Sequence, residues 1–344
     1  MSAPRIRGPG DPVRKGHFVL VSRRPPGARK HKRSPARAMK VAIVISRSLA
    51  AFCTAVFLML GGSPARGQFV ADDFLNLGLD LDASIGYLYD DNVTRAPSGP
   101  DKRSDQFYSL NASKTFAFPV TDFTRLTLDA FAGGELARSY SGLGSIFGGV
   151  QAALQYRGST EFDAPTFSAF FRGLGEHFGS TLRSGYRYSA GISARQPITD
   201  SLGVFGALAH NWRYAESSVF DTRENSALIS IDYSIAPYGT LTFTGEYRRG
   251  TLVSTGQKTL TVIDIAEAFV NDDVFTSPQM IDYRFEAKSW LTTLDYNLPL
   301  GARSALDFSW RWVQSTSTDQ ATFPGGGSLK YIDNQFNVVY LVRF

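Results

Sequence analysis

The stretch that decides the fold is YIDNQFNVVYLVRF, residues 331–344. Every second side chain towards its end is aromatic or aliphatic, namely Phe336, Val338, Tyr340, Val342 and Phe344. The alternate positions are more polar and include Asn337 and Arg343. Because successive side chains of a β-strand point to opposite faces, this alternation predicts a strand with one apolar face and one wetter face.

The same alternation recurs along most of the chain upstream, most clearly in 77–89, 223–235 and 305–313. Such segments predict twelve strands, at 77–91, 105–117, 123–137, 145–157, 165–176, 181–195, 203–215, 224–236, 240–252, 284–297, 303–315 and 331–344. These strands are longer than the roughly 5–6 residues common in soluble proteins. The aromatic content, 13% of the chain, is also high.

The connections between these strands alternate in length. One set is short and carries a strand-stopping proline, at Pro119, Pro197, Pro237 and Pro299. The other set is longer and more polar, at 92–104, 138–144, 216–223, 253–283 and 316–330. Short turns at one end and long loops at the other are typical of an all-β, transmembrane, antiparallel up-and-down barrel. We expect about twelve strands, with ten or fourteen as alternatives.

Such a barrel has to close because its strands lie in the hydrocarbon of a membrane. An unpaired backbone group in hydrocarbon costs several kcal/mol, so an open sheet edge is untenable there. We therefore expect the last strand to pair with the first. An even number of strands places both ends of the barrel on the short-turn side.

The N-terminal residues differ from the rest in charge. Residues 1–67 hold 14 of the 36 Lys and Arg residues but one of the 31 acids, so the remainder carries 22 basic and 30 acidic residues. The basic excess is confined to this leader, and we expect no nucleic-acid partner. We interpret 1–38 as a disordered basic extension or a mis-called start, 39–67 as a signal peptide and 68–344 as the barrel.

The signal-peptide assignment rests on the apolar run 49–62, which is followed by the small residues Ala65 and Gly67 before a cut at Gln68. Cys53, the only cysteine, would leave with the signal. Thiolate metal sites, cysteine nucleophiles and disulfides are then excluded from 68–344.

Two segments resemble known proteins. The last nine residues are similar to the C-terminal signature of bacterial outer-membrane barrels, which ends in Phe after alternating apolar residues. The element YDDNV (89–93) resembles the first hairpin of proteobacterial β-barrel porins. The resemblance implies an integral protein of the Gram-negative outer membrane with both termini in the periplasm. It also implies that the barrel-assembly machinery reads Phe336 to Phe344, and that membrane lipid and lipopolysaccharide are partners.

The acidic element Asp90, Asp91 and Asn92 has two interpretations. Hard cations prefer oxygen ligands, so these side chains could hold calcium or lipopolysaccharide-bridging cations at the outer rim. Alternatively, Asp and Asn serve a turn by bonding to the nearby backbone.

The side chains opposite the apolar stripes would face the lumen. Strands four to seven supply a basic wall, made of Arg157, Arg172, Arg183, Arg187, Arg195 and Arg213. The other strands supply an acidic wall, made of Asp80, Asp82, Asp232, Asp295 and Asp307. If water separates the walls, their field would orient and pass small polar or anionic solutes. If the charges meet, they plug a narrow barrel, and twelve strands lie between the filled and open limits.

The tenth strand breaks the pattern. Phe285 and Ala287 are apolar at odd positions, whereas Trp290, Leu294 and Tyr296 are apolar at even ones. Either a bulge resets the phase, or the residues up to about 288 stand above the bilayer. We expect the strands on either side of 253–283 to continue outward as a tall hairpin with its tip near 271–273. A loop folded into the lumen is the alternative.

These features favour porin-like passive transport of small polar or anionic solutes through a narrow charged lumen. A conduit for surface-polysaccharide export and a structural or adhesive barrel with a plugged lumen are the alternatives. No cofactor and no catalytic residue is predicted. His177 and Ser180 do not have the spacing of an outer-membrane phospholipase site, and His210 has no serine beside it.

Overall fold

The computed structural model describes residues 81–344 apart from 98, 160, 277 and 323–325. The predicted extension 1–38, the predicted signal peptide 39–67 and Asp80 therefore lie outside the described residues. No helix within the described part of the chain is long and apolar enough to cross a membrane.

Thirteen strands make up a single antiparallel sheet in the described residues. They are β1 (Leu81–Asp90), β2 (Asp105–Thr121), β3 (Thr124–Ala137), β4 (Ser145–Arg157), β5 (Thr166–Phe178), β6 (Gly185–Pro197), β7 (Leu202–Ala215), β8 (Thr222–Ile235), β9 (Gly239–Gly256), β10 (Ala268–Thr276), β11 (Gln279–Pro299), β12 (Ser304–Ser317) and β13 (Lys330–Arg343). A short helix, α1 (Leu260–Ile265), precedes β10, and 3-10 turns occur at Gly99–Asp101, Ser141–Leu143, Thr181–Arg183 and Ser218–Phe220.

Twelve of these strands close into a ring. β1 pairs with β13 from Asp82↔Arg343 to Asp90↔Gln335, and β9 pairs directly with β11 from Thr240↔Asn297 to Gly256↔Ile281. β10 lies outside this ring, because it pairs with the outer part of β11 alone. The predicted closed barrel of twelve antiparallel strands is confirmed.

The two faces of the wall differ as the period of two requires. Large apolar side chains stand exposed on the outer face, for example Leu110, Val150 and Ile192. The stripe at the end of β13 belongs to this face, since Phe336, Val338, Tyr340 and Phe344 are exposed and Val342 is half-buried. An apolar exterior of this extent suits hydrocarbon rather than water.

The irregular strand of the sequence analysis is β11, and it contains no bulge. Its register with β9 and with β12 runs without a shift. Tyr283, Phe285 and Ala287 share one face of β11 with Leu291, and all are buried. β12 reaches β11 only as far as Ala287↔Ser317, so 279–286 and their β9 partners 251–256 extend beyond the wall. We call this extension the upper hairpin.

A glycine marks the base of the upper hairpin. Gly250 has φ +151°, and a Cβ there would lie 2.0 Å from the carbonyl oxygen of Arg223. Only glycine fits this approach and this backbone conformation. Gly250 is also where β9 makes its last pairing with β8, so β9 leaves the wall at this point.

The predicted hairpin tip at 271–273 is wrong. The chain leaves β9 at Gly256, forms α1 and returns as β10, which pairs with β11 at Ala268↔Arg284 and Asn271↔Ile281. We call residues 257–276 the crossing segment. Their alternation resembles that of a strand, but β10 pairs with the upper hairpin and contacts other loops rather than the wall.

Candidate functional site in the barrel interior

The crossing segment reaches the far side of the barrel. Asp273 Oδ1 accepts a hydrogen bond of 2.6 Å from Ser180 Oγ in the β5–β6 loop. The rings of Phe275 and Tyr140 lie 4.5 Å apart, which brings β10 to the β3–β4 loop. In the ring of twelve, β11 stands six places from β4. A segment attached to β11 can contact that loop only by crossing the outer opening.

The upper hairpin packs against the crossing segment and against the β7–β8 loop. Tyr283 and Phe285 cluster with Val262 and Ile265 of the crossing segment. Val253 packs with Val219 and Phe220 of the β7–β8 loop.

The first loop of the barrel closes the mouth from another side. The amide of Thr255 donates to the carbonyl of Thr94 at 2.8 Å. Ser254 Oγ donates to the carbonyl of Arg95 at 2.5 Å. Protein therefore fills the outer mouth, with apolar clusters on the two faces of the upper hairpin.

A buried charge cluster holds the crossing segment. Arg183 donates to Asp272 and, at 3.0 Å, to Asp282. The side chains of both acids are fully buried, and that of Arg183 is 11% exposed. Thr255 Oγ1 also donates to Asp282, at 2.5 Å. One cation thus joins the β5–β6 loop to β10 and to the upper hairpin.

The two acids titrate differently, and both lie outside the membrane-spanning segments. Burial raises the pKa of Asp282 to about 8, with Asp272 adding to the rise and Arg183 opposing it. Burial also disfavours ionised Asp272, but its hydrogen bond with Asp282, the Arg183 charge and two backbone amides together lower its pKa. At neutral pH Asp282 therefore carries a proton and Asp272 a negative charge.

Three of the predicted basic-wall residues come together below the mouth. Arg187 and Arg213 are cross-strand partners on β6 and β7. Both bind Glu176, at 3.0 and 2.7 Å. Arg172 lies on β5 with its guanidinium 4.4 Å from the ring centre of Phe131. We call Arg172, Arg187 and Arg213 the arginine patch.

The patch keeps a positive charge and touches the mouth. Three arginines outnumber Glu176, even when Glu135, which feels the charge of Arg187, is counted with it. Arg213 also donates to the carbonyl of Arg183 at 2.8 Å. The patch is therefore connected to the cluster that holds the crossing segment.

The remaining arginines of the predicted wall lie elsewhere. Arg183 belongs to the 3-10 turn at the outer mouth. Arg157 donates to the carbonyls of Glu161 and Phe162 in the short β4–β5 turn, at 2.6 and 3.2 Å. Arg195 pairs with Asp232 at 2.8 Å, near the short-turn end of β6.

The predicted acidic residues occupy three places. Asp232 binds Arg195, as described above. Asp82 binds Arg343 at 2.7 Å across the junction of β1 and β13. Asp307 and Asp295 lie on the adjacent strands β12 and β11, where Asp307 accepts a bond of 3.3 Å from Asn297.

Exposure of the inward charges falls from the short-turn end to the outer end. The side chains of Arg195 and Arg343 are 64% and 65% exposed, whereas that of Arg213 is 15% exposed. Arg187, the cross-strand neighbour of Arg213, is 48% exposed. The interior is thus a vestibule that is open to water at the short-turn end and closed at the other.

At the outer rim, the side chain of Asn92 stabilises the turn that follows β1. Its side chain donates to the carbonyls of Ala96 and Ile332, both at 2.9 Å, and accepts from the amide of Ala96. The turn interpretation therefore describes Asn92 and also Asp90, whose Oδ1 accepts from the amide of Asn92 at 2.7 Å. Asp90 and Asp91 also approach Asp333 of β13.

His177, at the end of β5, lies beside Ser184 and not beside Ser180, the serine considered in the sequence analysis. Ser184 Oγ lies 3.4 Å from His177 Nδ1. The same hydroxyl accepts from the amide of Phe178 at 2.9 Å and lies 3.4 Å from the carbonyl of Ser180. These bonds secure the turn around Thr181–Arg183.

Comparison with known proteins adds little. No family model matches the sequence, and no curated protein matches it. An outer membrane channel from Pseudomonas putida F1 is 11% identical with TM-score 0.44, over 80% of this chain and 100% of its own. The KdgM porin is 11% identical with TM-score 0.38, over 76% and 99%. The translocator domain of the autotransporter NalP from Neisseria meningitidis is 11% identical with TM-score 0.37, over 89% and 98%. Likeness at this level decides neither family nor function.

Proposed function

We propose that this chain is an integral outer-membrane barrel through which small polar or anionic solutes pass passively, and that the crossing segment closes its outer mouth. The observation that carries the proposal is the position of the arginine patch, at the inner end of a water-open vestibule and in contact with the mouth. A net positive patch in a narrow, low-dielectric passage attracts anions and disfavours cations.

Passage requires the crossing segment to move. In the closed form, Arg183 is shared between Asp272 and Asp282, and Ser180 holds Asp273. The wall strands do not depend on these contacts, because their ladders are complete without β10. The segment can therefore swing away from the mouth without opening the barrel.

The proposal extends to location and partners. The apolar exterior is placed in the outer membrane, with lipopolysaccharide around the long loops and both termini in the periplasm. Phe336, Val338, Tyr340, Val342 and Phe344 would be read by the barrel-assembly machinery during insertion. The support is the alternation in β13 and the outward exposure of its apolar side chains.

A structural or adhesive barrel with a closed lumen is the second candidate. The apolar clusters within the mouth favour it, because packed cores hold loops more firmly than polar contacts do. The two functions differ in whether ions ever cross.

Planar-bilayer conductance separates them. We would compare the chain from Gln68 with a variant in which residues 258–279 are replaced by Asn-Gly, a turn suited to joining paired strands. Porin-like function predicts rare current steps from the first protein and frequent steps from the second, with a reversal potential that favours anions.

Two results would contradict the proposal. No steps from either protein, when both migrate as folded barrels on unheated gels, would establish the closed structural barrel. Cation-selective steps would remove the role of the arginine patch.

A further inference from the structure

The outer end of the closing junction between β1 and β13 holds three carboxylates. Asp90 and Asp91 come from the end of β1, and Asp333 comes from β13. Each presents an oxygen within 4.8 Å of an oxygen of the others. The group therefore contains ligands from both sides of the line where the barrel closes.

One of the three acids, Asp333, has a buried oxygen without a hydrogen-bond partner. Asp333 is 3% exposed. Its Oδ2 accepts from Gln335 Nε2 at 2.9 Å, but no donor among the described residues reaches its Oδ1. Leaving a buried carboxylate oxygen unsatisfied is costly, and such an atom calls for an ion or a water as its partner.

The surrounding bonds orient the carboxylates towards each other. Gln335 Nε2 also donates to Asp90 Oδ2, at 3.0 Å. The amide of Asn334 donates to Asp91 Oδ1 at 2.9 Å. Asp90 and Asp91 are thus both bonded to β13, and Asp90 Oδ1 also accepts from the amide of Asn92 at 2.7 Å. Carboxylate oxygens can accept a ligand bond beyond these hydrogen bonds.

Two basic groups lie near the cluster. Lys102 Nζ is 3.1 Å from Asp91 Oδ2, and its side chain is 35% exposed. Arg95 acts on Asp90 and Asp333 through its charge. Lys102 can withdraw into water when a more compact cation arrives, because its stem is long and flexible.

We propose that Asp90, Asp91 and Asp333 bind a divalent hard cation of the Ca²⁺ class that ties β1 to β13 at the outer rim. All the ligands are oxygens, which suits Ca²⁺ and not the softer metals that select nitrogen and sulfur. The ion would act where the two strands furthest apart in sequence meet. Its binding would stabilise the closed ring and not any single loop.

Terbium luminescence and thermal unfolding test the site. The chain from Gln68 is refolded in detergent, treated with EDTA and titrated with Tb³⁺, or heated with and without CaCl₂. We expect Tb³⁺ emission that Ca²⁺ displaces, with half-saturation by Ca²⁺ at roughly 10⁻⁴–10⁻³ M, as in extracellular calcium modules. We also expect Ca²⁺ to raise the unfolding temperature by several degrees.

Two substitutions sharpen the test. Asp333→Asn keeps the size of the side chain and should lower Tb³⁺ affinity at least tenfold and abolish the thermal shift. Asp295→Asn is the matched control, because Asp295 also lies near a second carboxylate, Asp307, on an adjacent strand. It should respond to Ca²⁺ like the unmodified chain.

The alternative is that the acids satisfy each other by sharing a proton. In that case the unmodified chain shows neither Tb³⁺ emission nor a calcium-dependent shift, and the proposal fails. It fails equally if Asp333→Asn retains both responses. Should Asp333→Asn not fold, Asp91→Asn replaces it, since the Asp91 side chain is partly exposed.

Discussion

Arg183 illustrates how far a single residue can be interpreted from sequence. Its position opposite an apolar stripe indicates an inward orientation, and its charge indicates a need for acids. Its partners, Asp272 and Asp282, lie about 90 and 100 residues further along the chain. No local pattern connects them, because the contact depends on the crossing segment reaching the opposite side of the mouth. The sign of a lumen charge is therefore predictable, whereas its partner is not.

Substitution of Arg183 should free the crossing segment from the outer mouth. Arg183→Gln leaves the buried Asp272 charge without its cation, and such losses cost about 3–5 kcal/mol. We expect faster tryptic cleavage after Lys258 and more frequent current steps. Arg195→Gln is the control, because the side chain of Arg195 is 64% exposed and exposed pairs contribute at most about 1 kcal/mol. Equal cleavage rates in the two variants would show that Arg183 does not hold the segment.

The pKa of Asp282 makes the closed mouth sensitive to pH. The closed form keeps a proton on Asp282 up to about pH 8, whereas water around an opened segment would return its pKa towards 3.8. The closed form thus binds more protons in this window, and it loses stability relative to the open form as pH rises. We expect the open probability in bilayers to increase from pH 6 to pH 9.

Asp282→Asn should remove this increase, because the amide stays neutral and can still donate to Asp272. An open probability that is constant or falls over the same range in the unmodified chain would contradict the assignment.

Among the elements, β11 and β10 show opposite outcomes. The sequence predicts β11 at 284–297, and its change of apolar parity leaves a bulge and an extension above the bilayer as alternatives; the unbroken register with β9 and β12 favours the extension. The residues beyond that point are apolar on the inner face because they pack against the crossing segment rather than water. At β10 the sequence predicts a hairpin tip, because Asp272 and Asp273 resemble turn residues. Instead, Asp272 accepts a hydrogen bond from Arg183 and Asp273 accepts one from Ser180. Both bonds depend on tertiary contact.

A disulfide should lock the crossing segment in place. A Cβ built on Gly142 would lie 3.4 Å from Val274 Cβ, close to the roughly 3.5–4.5 Å spacing of disulfides. Gly142→Cys with Val274→Cys should abolish current steps under oxidising conditions, and a reducing agent should restore them.

The chain from Gln68 has no other cysteine, because Cys53 is the only one in the sequence. Each single substitution serves as a control and should conduct in either condition. Unchanged conductance after the disulfide has been verified would mean that solute does not pass beside the crossing segment.

At the scale of the whole molecule, the barrel was predictable and the mouth was not. Alternation of side chains, the position of the turns and the cost of a free edge in hydrocarbon are sufficient to specify a closed ring. The arginines could be assigned to one side of that ring from strand order alone. Their separation into a patch, a mouth cluster and two turn contacts depends on depth along each strand, which strand tilt and loop packing determine.

The outer face should be intolerant of charge. Ile192→Arg places a cation on the exterior of β6, where Ile192 is 60% exposed, and a basic residue at mid-membrane costs about 2–4 kcal/mol. Ser193→Arg points into the vestibule and should cost far less. Reversible urea unfolding from lipid vesicles measures both. Similar losses of free energy in the two variants would show that the exterior does not face hydrocarbon.

The pairing of Asp82 with Arg343 has a consequence for biosynthesis. The ring cannot close in stages during synthesis, because Asp82 and Arg343 are 261 residues apart in sequence and meet only after β13 has been made. Until then every nascent chain carries two strand edges with unpaired backbone groups, which promote aggregation. Stop codons before or within β13 should therefore yield degraded protein rather than a smaller working pore, and we expect newly made chains to be kept unfolded until they reach the bilayer.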